Sequence, residues 1–137
     1  MEYFADRNLG AKIFPEILRE AGIVVHTHNE HFVHHAADAD WIPVVAQHGW
    51  VILTSDAAIR RNPLERAAVL NSRAAILVLV GANAKVAELA DNFVNTRSRI
   101  EAFLAQESVP IMAKVFRPNP TSQVAEGKPG RVERVHL

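Results

Sequence analysis

The feature that most constrains this fold is an alternation of short apolar runs with segments whose apolar residues recur at helical spacing. The run from Ala75 to Val80 is uniformly apolar, as expected for a central parallel strand. From Lys12 to Ala21, apolar residues instead follow helical periodicity, and Gly22 is placed to end that helix. Such alternation predicts an α/β domain with a parallel, doubly wound sheet. The predicted strands cover residues 3–5, 23–25, 50–54, 75–80 and 110–116.

Capping residues predict where the remaining helices begin. Asp40 stands directly before an apolar segment that ends at Gly49, and Asn62 is followed by a first-turn proline and by Glu65 at the third position. A long helix is predicted to begin near Val86 and to continue through about residue 104. Between the second strand and Asp40, the chain is predicted to form a loop that contains five histidines, His26, His28, His31, His34 and His35.

The chain divides by composition into a domain and a short tail. Its 137 residues suit one domain, which we assign to residues 1–118. Residues 119–137 contain prolines and glycines, and Lys128, Arg131 and Arg134 make this end basic. The tail is expected either to pair as an edge hairpin or to stay loose.

Charge and cysteine content narrow the classes of function. Lys+Arg and Asp+Glu are equal at 15 each, so nucleic-acid binding would depend on local basic patches. The absence of cysteine excludes disulfides, thiolate zinc sites and a cysteine nucleophile, and it suits a reducing cytoplasm. No apolar run approaches the roughly 20 residues that a membrane-spanning helix needs. The sequence therefore predicts a soluble, cytoplasmic protein without a membrane partner.

Aspartates at predicted strand ends are the main candidates for chemistry. Asp6 and Asp56 follow two strands, and Asp40 opens the helix that leads to the Asp56 strand. Ligands of open α/β sheets bind beyond the carboxyl ends of the strands. Converging carboxylates repel one another unless a cation lies between them, and oxygen-only ligands favour Mg²⁺ or Mn²⁺. This pattern predicts a catalytic metal site for phosphodiester hydrolysis, held by Asp6, Asp40 and Asp56.

Each of these acids also has an ordinary structural interpretation. Asp38 or Asp40 is equally suited to cap a helix, and Asp56 to form a turn after a strand. Glu65 is better explained by the capping box than by a functional role. The set of strand-end acids is therefore more informative than any one member.

Four segments, taken in order, resemble the PIN-like nucleases and especially their VapC-type toxin branch. In that family a first strand ends in Asp and an Asn-Leu pair follows, an acidic residue begins a later helix, and a further strand ends in Thr-x-Asp. The corresponding segments here are FADRNLG at residues 4–10, DADWIP at 38–43, GWVILTSD at 49–56 and IRRNPLE at 59–65.

The resemblance implies a fold, an activity and partners. The fold would have three α/β/α layers around a mainly parallel sheet of about four to five strands. The activity would be Mg²⁺- or Mn²⁺-dependent cleavage of RNA, with Asp6, Asp40 and Asp56 as catalytic metal ligands and Asp38 as an additional one. A cognate antitoxin and a homodimer are the implied protein partners.

Several polar residues near these acids are candidates for contacts with RNA. Arg60 and Arg61 follow Asp56 and suit phosphate binding, although a solvated helix face explains them equally well. Asn8, Thr54 and Ser55 are candidates to orient substrate or the acids. The histidines are better explained as solvated or hydrogen-bonded loop residues than as a transition-metal site, and they also suit stacking on RNA bases.

Two other functions remain open on the sequence alone. A receiver-like phosphoacceptor domain also uses strand-end aspartates and Mg²⁺. Against it, the first strand has only Asp6 instead of an acidic pair, and no clear lysine follows the last strand, although Lys114 lies within it. A catalytically silent PIN-like domain would bind RNA or a protein partner without cutting.

Overall fold

The computed structural model describes residues 1–137 as six strands and five α-helices. The strands are β1 Tyr3–Ala5, β2 Val25–Thr27, β3 Val51–Thr54, β4 Ala75–Leu79, β5 Ile111–Phe116 and β6 Arg131–Arg134. The helices are α1 Ile13–Glu20, α2 His28–His31, α3 Asp38–Gln47, α4 Pro63–Ser72 and α5 Val86–Gln106. Short 3₁₀ turns occupy Arg7–Leu9, Ala57–Arg60 and Thr121–Val124.

The strands form one sheet in the order β2-β1-β3-β4-β5-β6. The first five run parallel, and β6 is antiparallel to β5. From β1 the chain moves outward to β2 and then returns to the other side of β1 as β3, so the winding direction reverses between β1 and β3. This reversal leaves a crevice beyond the carboxyl ends of β1 and β3, where ligands of such sheets bind.

Strand alternation divides the core into two layers. Phe4, Ile52 and Ile76 face one side of the sheet and pack with Trp41 of α3 and Val69 of α4. Their neighbours along the strands face the opposite side, where α1 and α5 contact each other and cover the sheet. The predicted three-layer α/β/α fold is therefore confirmed, with six strands instead of four to five. None of the helices is both long and apolar enough to cross a bilayer.

Two boundaries differ from the sequence prediction. β2 begins at Val25, because the backbone N–H of Ile23 is bound to the Leu18 carbonyl, 3.0 Å away, and completes the end of α1. α3 begins at Asp38 instead of Asp40, because the Ala37 carbonyl already accepts from the N–H groups of Asp40 and Trp41.

The predicted histidine loop is also wrong in part. His26 lies in β2, and His28 begins α2, a short helix closed by a capping box between Thr27 and Glu30. Thr27 is thus both the last residue of β2 and the cap of α2. The strand passes directly into the helix, with no loop between them.

Residues 119–137 extend the sheet through β6. Val132 and Arg131 pair with Val115 and Phe116 of β5. Gly130 joins this strand to α5, because its N–H donates to the Thr96 hydroxyl at 2.9 Å and its carbonyl accepts from Arg99 at 2.7 Å. A side chain has no space there, since a Cβ atom on Gly130 would lie 1.7 Å from the Phe116 carbonyl oxygen.

Gly130→Ala should therefore destabilise the protein by about 2 to 4 kcal/mol, because the new methyl group must push β6 off β5. Urea unfolding would measure the loss, with Lys128→Ala, a change at an exposed side chain of the same segment, as control. Equal stability of the two variants would show that β6 does not contribute to the cooperative fold.

Candidate active site

Asp6 lies at the bottom of the crevice between β1 and β3. Its side chain is almost completely buried, with 3% of the residue exposed, and its backbone N–H donates to the Leu53 carbonyl at 2.9 Å. The fully buried hydroxyl of Thr54 donates to Asp6 Oδ2 at 2.9 Å. Burial raises the pKa of Asp6, while the Thr54 hydrogen bond opposes this shift. The predicted strand-end acid is therefore held where the sheet order reverses.

Thr54 connects the ends of β1 and β3. Its hydroxyl oxygen accepts from the Asn8 amide at 3.2 Å and from the Asp56 backbone N–H at 3.0 Å. The Asn8 carbonyl in turn accepts from the Ser55 N–H at 3.4 Å. Asp56 caps the following 3₁₀ turn by accepting from the Ala58 N–H at 2.8 Å. These bonds fix the backbone on which both strand-end aspartates stand.

Asp38 approaches Asp6 from the first turn of α3. Its Oδ1 atom accepts from Trp41 Nε1 at 3.0 Å and from Arg7 at 3.3 Å. The Asp38 side chain is 11% exposed, so this ion pair is largely shielded from water. In addition to burial, the Asp38 charge also raises the pKa of Asp6.

Arg7 and His28 contact each other on the side of the site where Asp38 lies. Arg7 also donates to the Ala36 carbonyl at 2.8 Å, and its NH1 atom lies 3.2 Å from His28 Nε2. Burial and the neighbouring Arg7 charge lower the pKa of His28. Because a guanidinium only donates, His28 Nε2 must be the acceptor, and the ring is neutral there. His28 is therefore hydrogen-bonded, one of the two states expected for these histidines, although it lies in α2 and not in a loop.

Glu65, in the first turn of α4, is the fourth acid of the site. Its pKa is raised to about 7 by burial, by a hydrogen bond to the Asp38 carboxyl and by the charges of Asp38, Asp56 and Asp6. Asp6, Asp38, Asp56 and Glu65 therefore form one group of mutually repelling acids, which we call the acidic cluster.

Asp40 does not join the acidic cluster. It is exposed, and it contributes to the pKa shift of neither Asp6 nor Glu65. Two helical positions turn a side chain by about 200°, so the residue that points away from the crevice is Asp40 when Asp38 points into it. The structure thus brings Asp38 to the place that the sequence analysis gave to Asp40.

The predicted substrate residues fall into two groups. Asn8, Thr54 and Ser55 belong to the hydrogen-bonded frame just described. Arg60 and Arg61 are exposed at the end of the 3₁₀ turn after Asp56 and form no ion pair within the chain. They remain free to meet an anionic ligand that approaches from solvent.

Glu65 was not expected near the strand-end acids, because the sequence pattern assigned its side chain to a capping box. The Asn62 N–H instead donates to the Ala58 carbonyl at 3.0 Å, so no capping carboxylate is needed. Asn62 alone caps α4 through the N–H groups of Leu64 and Glu65. The available signal was position, since Glu65 is the first acid after Asp56 in the chain.

The donor chemistry of the acidic cluster fits a divalent cation. Four carboxyl groups offer only oxygen ligands, which suit Mg²⁺ or Mn²⁺. A cation would offset the charges of Asp38, Asp56 and Asp6 that, in addition to burial, raise the pKa of Glu65. No three His, Asp or Glu side chains are arranged closely enough to enclose an ion. The carboxyls would therefore have to move closer together on binding, with Asp38 turning partly from Arg7.

Comparison with known proteins identifies the family. The family model described as "PIN like domain" matches residues 1–81, more than half of the chain. The chain therefore belongs to the PIN-like domain family. A protein of Mycobacterium tuberculosis named "Putative ribonuclease VapC45" is 34% identical over 101 residues, which are 71% of this chain and 73% of that protein. No solved structure gives a significant match.

The acidic cluster should make the metal-free protein less stable as pH rises. The pKa of Glu65 is raised from 4.5 to about 7, so stability present below pH 4.5 is lost as pH rises through 7. Glu65→Gln should remove most of this loss, roughly 1 to 2 kcal/mol after discounting for partial solvent exposure. Urea unfolding in EDTA between pH 4.5 and 8 measures it, with Glu126→Gln, an exposed acid, as control. An unchanged pH profile in Glu65→Gln would contradict the clustering of these carboxyls.

Proposed function

We propose that the protein is a metal-dependent endoribonuclease that hydrolyses RNA phosphodiester bonds at the acidic cluster. The observation that supports this most is that Asp6 and Asp56 follow the neighbouring strands β1 and β3 where the sheet order reverses, while the charges of Asp38, Asp56 and Asp6 contribute to the raised pKa of Glu65. Family membership and the ribonuclease name of the mycobacterial relative support the same activity. We assign the site to residues 1–118, and we assign to residues 119–137 the role of completing the sheet edge.

Asp6, Asp38, Asp56 and Glu65 are the residues that we propose to hold Mg²⁺ or Mn²⁺. When bound, such a cation supplies Lewis-acid chemistry, which polarises a phosphoryl oxygen and lowers the pKa of water. Hydrolysis then forms one bond from water to phosphorus and breaks one bond to the leaving oxygen, which takes up a proton. No side-chain nucleophile is needed.

The other residues of the site position these acids and the substrate. Thr54 donates to Asp6 and so fixes the orientation of its carboxylate, while Asn8 holds the Thr54 hydroxyl in place. Arg7 compensates part of the negative charge through Asp38. Arg60 and Arg61 are placed to bind phosphates of the RNA strand beside Asp56.

We further propose that the protein acts as the toxin of a toxin–antitoxin pair. The support is the VapC name of the relative, which aligns with 71% of this chain. The expected partners are a cognate antitoxin and a second copy of this chain. A catalytically silent binding module is the competing hypothesis, and it predicts the same fold without cleavage.

Cleavage of a mixed RNA pool should require Mn²⁺ or Mg²⁺ and stop in EDTA. Asp6→Asn, Asp38→Asn and Asp56→Asn should each reduce the rate by at least about a hundredfold, because each removes charge from the site. Asp40→Asn should stay within about threefold of the original protein, since its side chain lies outside the cluster. Asp38 and Asp40 share one helical turn, so each variant serves as the matched control for the other.

Circular dichroism and melting temperature would verify that every variant is folded. Metal-independent cutting, or full activity in Asp6→Asn and Asp56→Asn, would contradict the proposed site. Loss of activity in Asp40→Asn with retention in Asp38→Asn would assign the metal-binding role to Asp40 instead of Asp38. No cutting by the original protein with either metal would favour the silent binding module.

A further inference from the structure

A cavity of about 420 Å³ opens beside the acidic cluster at the ends of β3 and β4. Asn8 and Ser55, which belong to the hydrogen-bonded frame of Thr54, line it together with Ala57. The cavity therefore adjoins the site directly. Its size falls in the range of small-molecule binding sites, which are usually a few hundred Å³.

Lys114 is the one charged residue that lines this cavity. It lies on β5 opposite Val78 of β4, and it forms neither a salt bridge nor a side-chain hydrogen bond within the chain. The residue opposite Lys114 on β6 is Glu133, but the Glu133 carboxylate is paired with Arg131. An unpaired, half-buried lysine in a cavity that also contains Asn8 and Ser55 is suited to bind an anionic ligand that extends from the cavity toward the acidic cluster.

The remaining wall is apolar and tightly built. Val78, Val80 and Val86 line it with the small residues between them. Gly81 packs so closely that a Cβ atom there would lie 2.8 Å from Leu89 Cδ2 and 2.9 Å from Ala84 Cβ. The turn between β4 and α5 is thus fixed against α5, and it offers a firm apolar surface next to the Lys114 ammonium.

We propose that this cavity is a nucleotide subsite for single-stranded RNA, in which Lys114 binds a backbone phosphate and the valine wall packs against the adjoining base. This proposal rests on the proposed nuclease function and deepens it. A nucleotide combines an anionic phosphate with a base whose flat face is apolar, which matches a lysine beside an apolar wall. Single-stranded RNA offers such bases, because they are unstacked and free to enter a pocket.

The first test removes the charge of Lys114 but keeps most of the length of its side chain. Lys114→Met should raise the KM for a short single-stranded RNA about five- to fiftyfold and leave kcat within about threefold, because the lost contact is made equally before and during the reaction. Lys128→Met, in the exposed part of the C-terminal segment, is the matched control and should leave both constants unchanged. An unchanged KM in Lys114→Met would overturn the proposal even if the protein is an active nuclease.

A binding measurement separates the subsite from the nuclease activity. Fluorescence anisotropy of a labelled RNA pentamer in EDTA, at several salt concentrations, should show weaker binding by Lys114→Met and a salt slope smaller by about 0.7, the value for one single-strand phosphate contact. This result, without any cleavage by the original protein, would support the subsite and count against the nuclease. Equal affinities and slopes would overturn the subsite.

A second variant tests the cavity while Lys114 remains. Ala82 is exposed and lines the cavity, so Ala82→Phe should fill it without disturbing the core and weaken RNA binding to a similar degree. A melting temperature close to that of the original protein would verify the fold. Binding unaffected by Ala82→Phe would overturn the base-packing part. Competition by a free mononucleotide as effective as the RNA would overturn the assignment to an RNA strand.

Discussion

The site depends on the hydrogen bond between the buried Thr54 hydroxyl and the Asp6 carboxylate. A carboxylate buried at the end of a central strand is costly unless a donor accompanies it. Thr54 supplies that donor from the neighbouring strand, and its oxygen also accepts from Asn8 and from the Asp56 backbone. One side chain thus orients Asp6, fixes the backbone of Asp56 and joins the ends of β1 and β3.

The acids around this hydrogen bond repel one another, and this repulsion destabilises the folded protein. Arg7 compensates Asp38 and is itself held by the Ala36 carbonyl and by neutral His28. No cation of the chain compensates Glu65, whose pKa is raised to about 7. A fold selected for stability alone would replace such a group, so the retained repulsion is consistent with an external cation. Lys114 and the two arginines after Asp56 add positive charge around this centre, where an RNA strand would approach.

The sequence was sufficient for the sheet and for the two strand-end acids, because apolar runs and their following aspartates obey a simple rule of α/β topology. It was insufficient for Asp38 and Glu65. Asp38 and Asp40 both suit a helix start, and the sequence pattern does not show which carbonyl accepts the first hydrogen bond of α3. Glu65 suits a capping box until the Ala58 carbonyl takes the N–H of Asn62. The pairing of β6 depends on the contact of Gly130 with α5, which no local pattern predicts.

The most direct test of the central claim is to locate the bound cation. Crystals soaked in Mn²⁺ should give an anomalous difference peak within coordination distance of Asp6 and at least one other acid of the cluster, Asp38, Asp56 or Glu65. Arg7 should then move away from the Asp38 carboxylate. A peak bound by Asp40 or by the histidines of β2 and α2, with none among the four clustered carboxyls, would contradict the account.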